Sequence, residues 1–140
     1  MTATIVPGSC LCETVRFEIE LPTLACGHCH CSMCRRPHGA SFVTWIAVPR
    51  ERFRITAGAE DIVHYRSSEH GTRRFCRHCG SQMFCQTEPA IIDVTLASLH
   101  GQIDREPEAH WYYDSRAEWT RVSDDLPKLG GASGMEPLRD

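Results

Sequence analysis

The sequence predicts a mainly β, antiparallel fold with short helical turns, tied together by bound metal. Short segments rich in β-branched and aromatic residues recur along the chain, separated by Gly and Pro turn signals. No segment sustains the 3.6-residue apolar period of a long amphipathic helix. The nine cysteines lie mostly in closely spaced groups, which is typical of metal ligands. Together these observations favour a small β domain that metal sites stabilise.

The first predicted strand is the clearest. In residues 13–21, apolar and charged side chains alternate, which indicates a strand with one buried face, and Pro22 ends it. Short helices are predicted only over 31–36 and 116–122. The same reasoning predicts further strands over 41–48, 53–58, 61–67, 72–88 (interrupted by a cysteine pair), 90–99 and 108–114.

Length and composition predict one domain over residues 1–127, followed by a flexible Gly-rich tail at 128–140. The chain opens without the basic and apolar segments of a signal peptide, and no apolar run reaches the length of a membrane helix. We therefore expect a cytoplasmic protein without a membrane partner. The formal net charge of -3 disfavours a nucleic-acid partner, because phosphate binding needs a basic surface.

The cysteine spacing alone leaves the partition of the ligands open. The close groups are Cys10-x-Cys12, Cys26-x-x-Cys29, Cys29-x-Cys31-x-x-Cys34 and Cys76-x-x-Cys79. A four-thiolate zinc site could combine Cys76 and Cys79 with either of the first two pairs. If it takes Cys10 and Cys12, a three-cysteine group remains, and three protein ligands with one open position is the arrangement of catalytic zinc.

The stretch CGHC at residues 26–29 also has the spacing of a redox-active dithiol. Such a dithiol normally begins a long helix that follows a parallel strand. Here two further cysteines, Cys31 and Cys34, follow at once, and Pro37 and Gly39 leave no room for a long helix. The metal-binding interpretation of this stretch is therefore favoured over the redox one.

Several longer motifs resemble one known family. They are GSCLCETVRFE, CHCSMCRRPHGASFVTW, FCRHCGSQMF, DVTLASL and HWYYDSRAEWTRVSDDLP. In this order they resemble the glutathione-dependent formaldehyde-activating enzyme family, which also includes centromere protein V. The resemblance runs from about residue 8 to residue 127.

The resemblance implies an Mss4-like (β-tent) fold with two Zn²⁺ ions. By motif, it implies a structural zinc held by Cys10, Cys12, Cys76 and Cys79, and a catalytic zinc held by Cys29, Cys31 and Cys34. The family pattern includes neither Cys26 nor Cys85. The implied activity is a carbon–sulfur lyase reaction, in which glutathione and formaldehyde combine to S-hydroxymethylglutathione.

We expect the partner of such a site to be a small thiol or aldehyde, glutathione among the candidates. His30, which lies between two predicted ligands, is a candidate proton carrier, and Arg35 is a candidate contact for a substrate carboxylate. The alternative is a non-enzymatic binding or chaperone-like module in which both zinc ions are structural, since the fold does not determine the function. A fourth protein ligand at the three-cysteine group, such as Cys26, would favour that alternative.

Overall fold

A computed structural model of the chain describes residues 4–138. The protein is mainly β, with 42% strand and 14% helix, as the sequence predicts. Among the described residues, no helix is long and apolar enough to cross a membrane.

Twelve strands and one short α-helix, α1 (Ser32–His38), follow one another in the described part of the chain. The strands are β1 (Ile5–Ser9), β2 (Arg16–Glu20), β3 (Ala25–Cys29), β4 (Val43–Pro49), β5 (Phe53–Ala57), β6 (Ile62–Arg66), β7 (Thr72–Cys76), β8 (Gln82–Glu88), β9 (Ile91–Thr95), β10 (His110–Trp111), β11 (Leu129–Gly130) and β12 (Glu136–Pro137).

The strands form one large sheet, one small sheet and a hairpin. The large sheet has the order β10-β3-β4-β9-β8-β7-β6, the small sheet has the order β1-β2-β5, and β11 pairs with β12. Every pairing is antiparallel except the one between β10 and β3. The large sheet thereby brings residues near 29, 73, 93 and 111 into one region of the molecule.

The main core joins the small sheet to the large one. Phe17 of β2 packs against Phe53 of β5 and edge-on against Phe84 of β8, with ring centroids 5.8 and 4.9 Å apart respectively. Phe17 and Phe84 are almost fully buried. Such edge-to-face contacts suit aromatic rings and add to the large apolar area that each ring buries.

Besides β11 and β12, two further strands lie where the sequence analysis predicted none. β1 contains Pro7 and Gly8, which normally weaken a strand, but Gly8 lies directly against the Phe17 ring, where a Cβ atom would clash. β3 coincides with the cysteine-rich stretch and includes Gly27, against which the Trp111 ring packs in the same way. Both strands therefore depend on tertiary packing rather than on local propensity.

The helix predicted over 31–36 is confirmed as α1, whereas the helix predicted over 116–122 is wrong. In the latter segment the chain makes only a turn, in which Thr120 N–H donates to the carbonyl of Ala117. The Arg121 side chain donates to the carbonyls of Glu118 and Thr120 at 2.9 and 3.1 Å. These local bonds satisfy carbonyls that a helix would have used.

The segment 128–138 contains the short β11–β12 hairpin. This hairpin packs against Tyr112, whose N–H donates to the carbonyl of Gly134 at 2.9 Å. The flexibility expected of 128–140 stays a prediction, and residues 139–140 lie outside the described part.

Candidate metal centres and the adjoining cleft

The first cysteine cluster joins the small sheet to the end of β7. It combines Cys10 and Cys12, from the loop after β1, with Cys76, the last residue of β7, and Cys79, from the turn that connects β7 to β8. The four Sγ atoms all lie within 4.8 Å of one another. Sequence spacing left two partitions open, and the structure brings together the first of them.

The geometry of this four-cysteine cluster fits a tetrahedral zinc ion. The Sγ of Cys12 lies 3.6 Å from that of Cys10 and 3.8 Å from that of Cys76. Zinc–sulfur distances of about 2.3 Å place the sulfurs of a tetrahedron about 3.8 Å apart. Backbone N–H groups of Val15 and His78 donate to the Cys10 and Cys76 sulfurs at 3.3 and 3.4 Å, which stabilises thiolates. The cluster therefore suits a closed structural site.

The second cluster consists of Cys29 at the end of β3, Cys31 just before α1, and Cys34 within α1. The Sγ of Cys29 lies 3.6 Å from that of Cys31 and 3.4 Å from that of Cys34. Thiol hydrogen bonds from Cys29 and Cys34 lower the pKa of Cys31, so the cluster favours a thiolate there. These distances fit one face of a zinc–sulfur tetrahedron.

Within residues 4–138, no fourth Cys, His, Asp or Glu ligand atom joins this three-cysteine cluster. Cys26 is fully buried in the main core, which Cys29 does not join. The two residues are three apart on β3, and an odd separation on a strand places side chains on opposite faces. Cys26 therefore does not close the cluster, and it cannot form a dithiol with Cys29 in this fold.

A cleft of about 530 Å³ adjoins the three-cysteine cluster. Its lining includes all three cysteines and the aromatic side chains of Trp45, Trp111 and Tyr112. The lining also includes three further ionisable groups, namely Arg73 of β7, Cys85 of β8 and Asp93 of β9. The cleft thus combines a soft-metal site with apolar walls and a few polar groups, which is typical of a small-molecule site.

Burial raises the pKa values of Asp93 and Cys85, which both line this cleft. It raises the pKa of Asp93 to about 6, and the neighbouring Cys34 and Glu88 add to the effect. Burial likewise raises the pKa of the Cys85 thiol to about 11, against the lowering effect of Arg73. Near neutral pH, Cys85 is therefore a neutral thiol, and Asp93 can exchange a proton.

The family model of the glutathione-dependent formaldehyde-activating enzyme matches residues 5–115. The chain belongs to this family. The matched range includes both cysteine clusters and the strands that carry Arg73 and Asp93.

Two similar proteins carry the name of this family, and one solved structure is similar to the chain in fold and sequence. A candidate glutathione-dependent formaldehyde-activating enzyme of Podospora anserina is 31% identical over 73% of this chain and 53% of its own length. One of Halomonas elongata is 24% identical over 84% of this chain and 81% of its own length. The chain thus spans about half of the first relative and most of the second. A crystal structure of a Rhodobacter sphaeroides protein, 30% identical, matches 70% of this chain and 91% of its own with a TM-score of 0.59.

His30, the predicted proton carrier of this family member, does not line the cleft. Its ring is fully buried and its Nε2 lies 2.8 Å from Nδ1 of His110. The Nε2 of His110 in turn lies 3.0 Å from both carboxylate oxygens of Asp124. Burial, followed by His110, lowers the pKa of His30 to about 4. Proton transfer by His30 stays a prediction, but the geometry favours a positioning role for the loop between Cys29 and Cys31.

Arg35, the predicted substrate contact, donates its side-chain hydrogen bonds to backbone carbonyls. Its Nε donates to the carbonyl of His30 at 3.0 Å, and its Nη2 donates to that of Ser115 at 3.2 Å. Arg35 therefore fastens the cysteine loop to the turn after β10, and it is absent from the cleft lining. Its contact with substrate stays a prediction.

Sequence reasoning missed the ionisable groups of the cleft. Asp93 interrupts the mostly apolar segment IIDVT of β9. Carboxylates are rarely buried in such strands without a partner, so the sequence already marked Asp93 as a candidate functional residue. Cys85 lies outside the family pattern, but it is a buried residue that lines the cleft. Arg73 gave no local signal, because only the pairing of β7 with β8 brings it towards the cysteines.

Replacing Asp93 by Asn is expected to stabilise the protein at pH 7 and not at pH 4. The folded-state pKa of about 6 lies above the ordinary value of 3.8, so the folded state holds a proton that the unfolded chain releases. Stability from this group is therefore present below the ordinary pKa and is lost as the pH rises through about 6. We expect the Tm of D93N to exceed that of the parent by a few degrees at pH 7 and to match it at pH 4. An equal gain at both pH values would contradict the raised pKa.

Proposed function

We propose that the chain is a zinc-dependent carbon–sulfur lyase-type enzyme that forms and cleaves a thiol–aldehyde adduct, with glutathione and formaldehyde as the first pair to test. The observation that supports it is the three-cysteine cluster, which lacks a fourth ligand from residues 4–138 and borders a cleft. The fourth corner of such a site is available to a small molecule.

Cys29, Cys31 and Cys34 would hold the catalytic zinc, and Cys10, Cys12, Cys76 and Cys79 the structural one. When bound, the catalytic zinc supplies Lewis acidity and favours the deprotonated form of a thiol. Nine free cysteines are most compatible with a reducing compartment, so the proposal includes a cytoplasmic location.

The reaction needs one proton to move and no redox partner. The thiol loses its proton, its sulfur bonds to the aldehyde carbon, and the aldehyde oxygen gains a proton to become a hydroxyl group. Asp93 lines the cleft and has a pKa of about 6, so it can accept the first proton and return it to the oxygen. Trp45 and Trp111 shield the reacting groups from water.

The test is the rate at which the metal-loaded chain exchanges glutathione with its hydroxymethyl adduct, measured by NMR exchange spectroscopy. We expect the protein to accelerate exchange at least tenfold over buffer. Unchanged exchange by protein that holds both metals would contradict the proposal and leave the non-enzymatic binding module as the alternative.

A further inference from the structure

Arg73 is a buried cation in the cleft, and no carboxylate in the described part of the chain forms an ion pair with it. Its side chain is only 7% exposed, and it lines the cleft. Its Nη2 donates to the Sγ of Cys34 at 3.6 Å, but its Nε and Nη1 have no hydrogen-bond partner among residues 4–138. None of the ion pairs in that range includes Arg73.

A buried guanidinium with unsatisfied donors is costly, since its charge and its N–H groups have lost water without full replacement. The sulfur of Cys34 accepts a hydrogen bond from one nitrogen of the guanidinium and leaves the other two without a partner in residues 4–138. Arginine presents paired donors that match the two oxygens of a carboxylate. The orphaned donors of Arg73 therefore point to an anionic ligand with this geometry.

The surroundings of Arg73 favour a single carboxylate over a phosphate. Arg73 is the only Lys, Arg or His among the described residues that line the cleft, and Asp93 lies in the same lining. One cation beside an acidic group suits a monoanion better than a dianion. The apolar walls formed by Trp45 and Trp111 suit a short aliphatic chain.

We propose that Arg73 binds the carboxylate of the substrate thiol and thereby selects thiols whose carboxylate lies only a few bonds from the sulfur. The inference rests on the proposed function, since it assumes that a thiol binds at the three-cysteine cluster. Arg73 contacts Cys34, so a group held by Arg73 lies next to anything bound at that cluster. A short mercaptocarboxylate can reach both, whereas the corresponding amide lacks the charge that Arg73 recognises.

The experiment measures thiol binding to the full chain loaded with Co²⁺, using the cobalt–thiolate charge-transfer band. The probes are 3-mercaptopropionate and its neutral amide, 3-mercaptopropanamide. We expect the parent protein to bind the carboxylate at least tenfold more tightly, as a charge-assisted hydrogen bond allows. Arg73→Gln should bring the two Kd values within about twofold, and Arg73→Lys should restore part of the preference.

Arg74→Gln is the matched control. Arg74 is the next residue on β7, and its side chain is held by His64 and Gln86 at 3.1 and 2.9 Å, away from the cleft. This variant should keep the full preference for the carboxylate.

Equal affinities in the parent protein, or an unchanged preference in R73Q with both metals retained, would overturn the inference and leave the proposed function intact. Selective loss of the second metal in R73Q would also overturn it, because Arg73 would then serve the thiolates rather than a ligand. If neither of these thiols nor glutathione binds to the loaded parent, the proposed function itself fails, and this inference with it.

Discussion

Replacing Cys76 by Ser is expected to abolish cooperative folding of the chain. Cys76 is fully buried and belongs to the four-cysteine cluster, which ties the loop after β1 to the turn after β7. Binding free energy at a structural zinc site is folding free energy, on the order of 10 kcal/mol or more in small zinc domains. That amount is comparable with the whole stability of a typical domain, about 5–15 kcal/mol.

The measurement is zinc content together with thermal unfolding followed by circular dichroism. Cys26→Ala is the matched control, because Cys26 is equally buried in the same core but belongs to neither cluster. We expect C26A to keep both metals and to lose only about 1–2 kcal/mol, the cost of a small cavity. If C76S unfolds cooperatively with a Tm close to that of C26A, the four-cysteine cluster contributes little to the stability of the fold.

Replacing Cys31 by Ser is expected to remove the second metal and the catalysis while the fold survives. Cys31 is only partly buried, and its cluster lies between the end of β3 and α1 instead of joining distant segments. We expect one zinc per chain instead of two. Acceleration of adduct exchange should fall at least about 100-fold, because removal of one group that stabilises developing charge typically costs that much.

The same exchange assay and zinc analysis test this variant, with C26A again as the control. We expect the Tm of C31S to stay within a few degrees of the parent. An unchanged exchange rate in C31S protein that has lost its second zinc would show that catalysis does not need the three-cysteine cluster.

Much of the fold is visible in the sequence because strand alternation and cysteine spacing are local properties. Residues 13–21 alternate between apolar and charged side chains, and β2 (Arg16–Glu20) lies within them. The motif C-x-C-x-x-C brings Cys29, Cys31 and Cys34 together within a single turn and short helix. Local chain geometry thus suffices to form this cluster.

The rest of the site depends on long-range pairing, which no local pattern reveals. Arg73 reaches Cys34 only because the large sheet places β7 and β3 around one cleft. His30 was a candidate proton carrier because it lies between two predicted zinc ligands. In the structure, its ring contacts that of His110, which is 80 positions later in the chain. Position in the sequence therefore predicted the cysteine clusters better than the residues that surround them.

The central claim is that the chain holds two different metal centres, one closed and one with a position open to substrate. Zinc content combined with X-ray absorption spectroscopy of the parent and of C31S tests it most directly. We predict two zinc ions per parent chain and one, with four sulfur ligands, in C31S. The difference between the two spectra should then show three sulfurs and one lighter ligand at the second centre. A single zinc in the parent, or a second centre with four protein ligands, would contradict the claim.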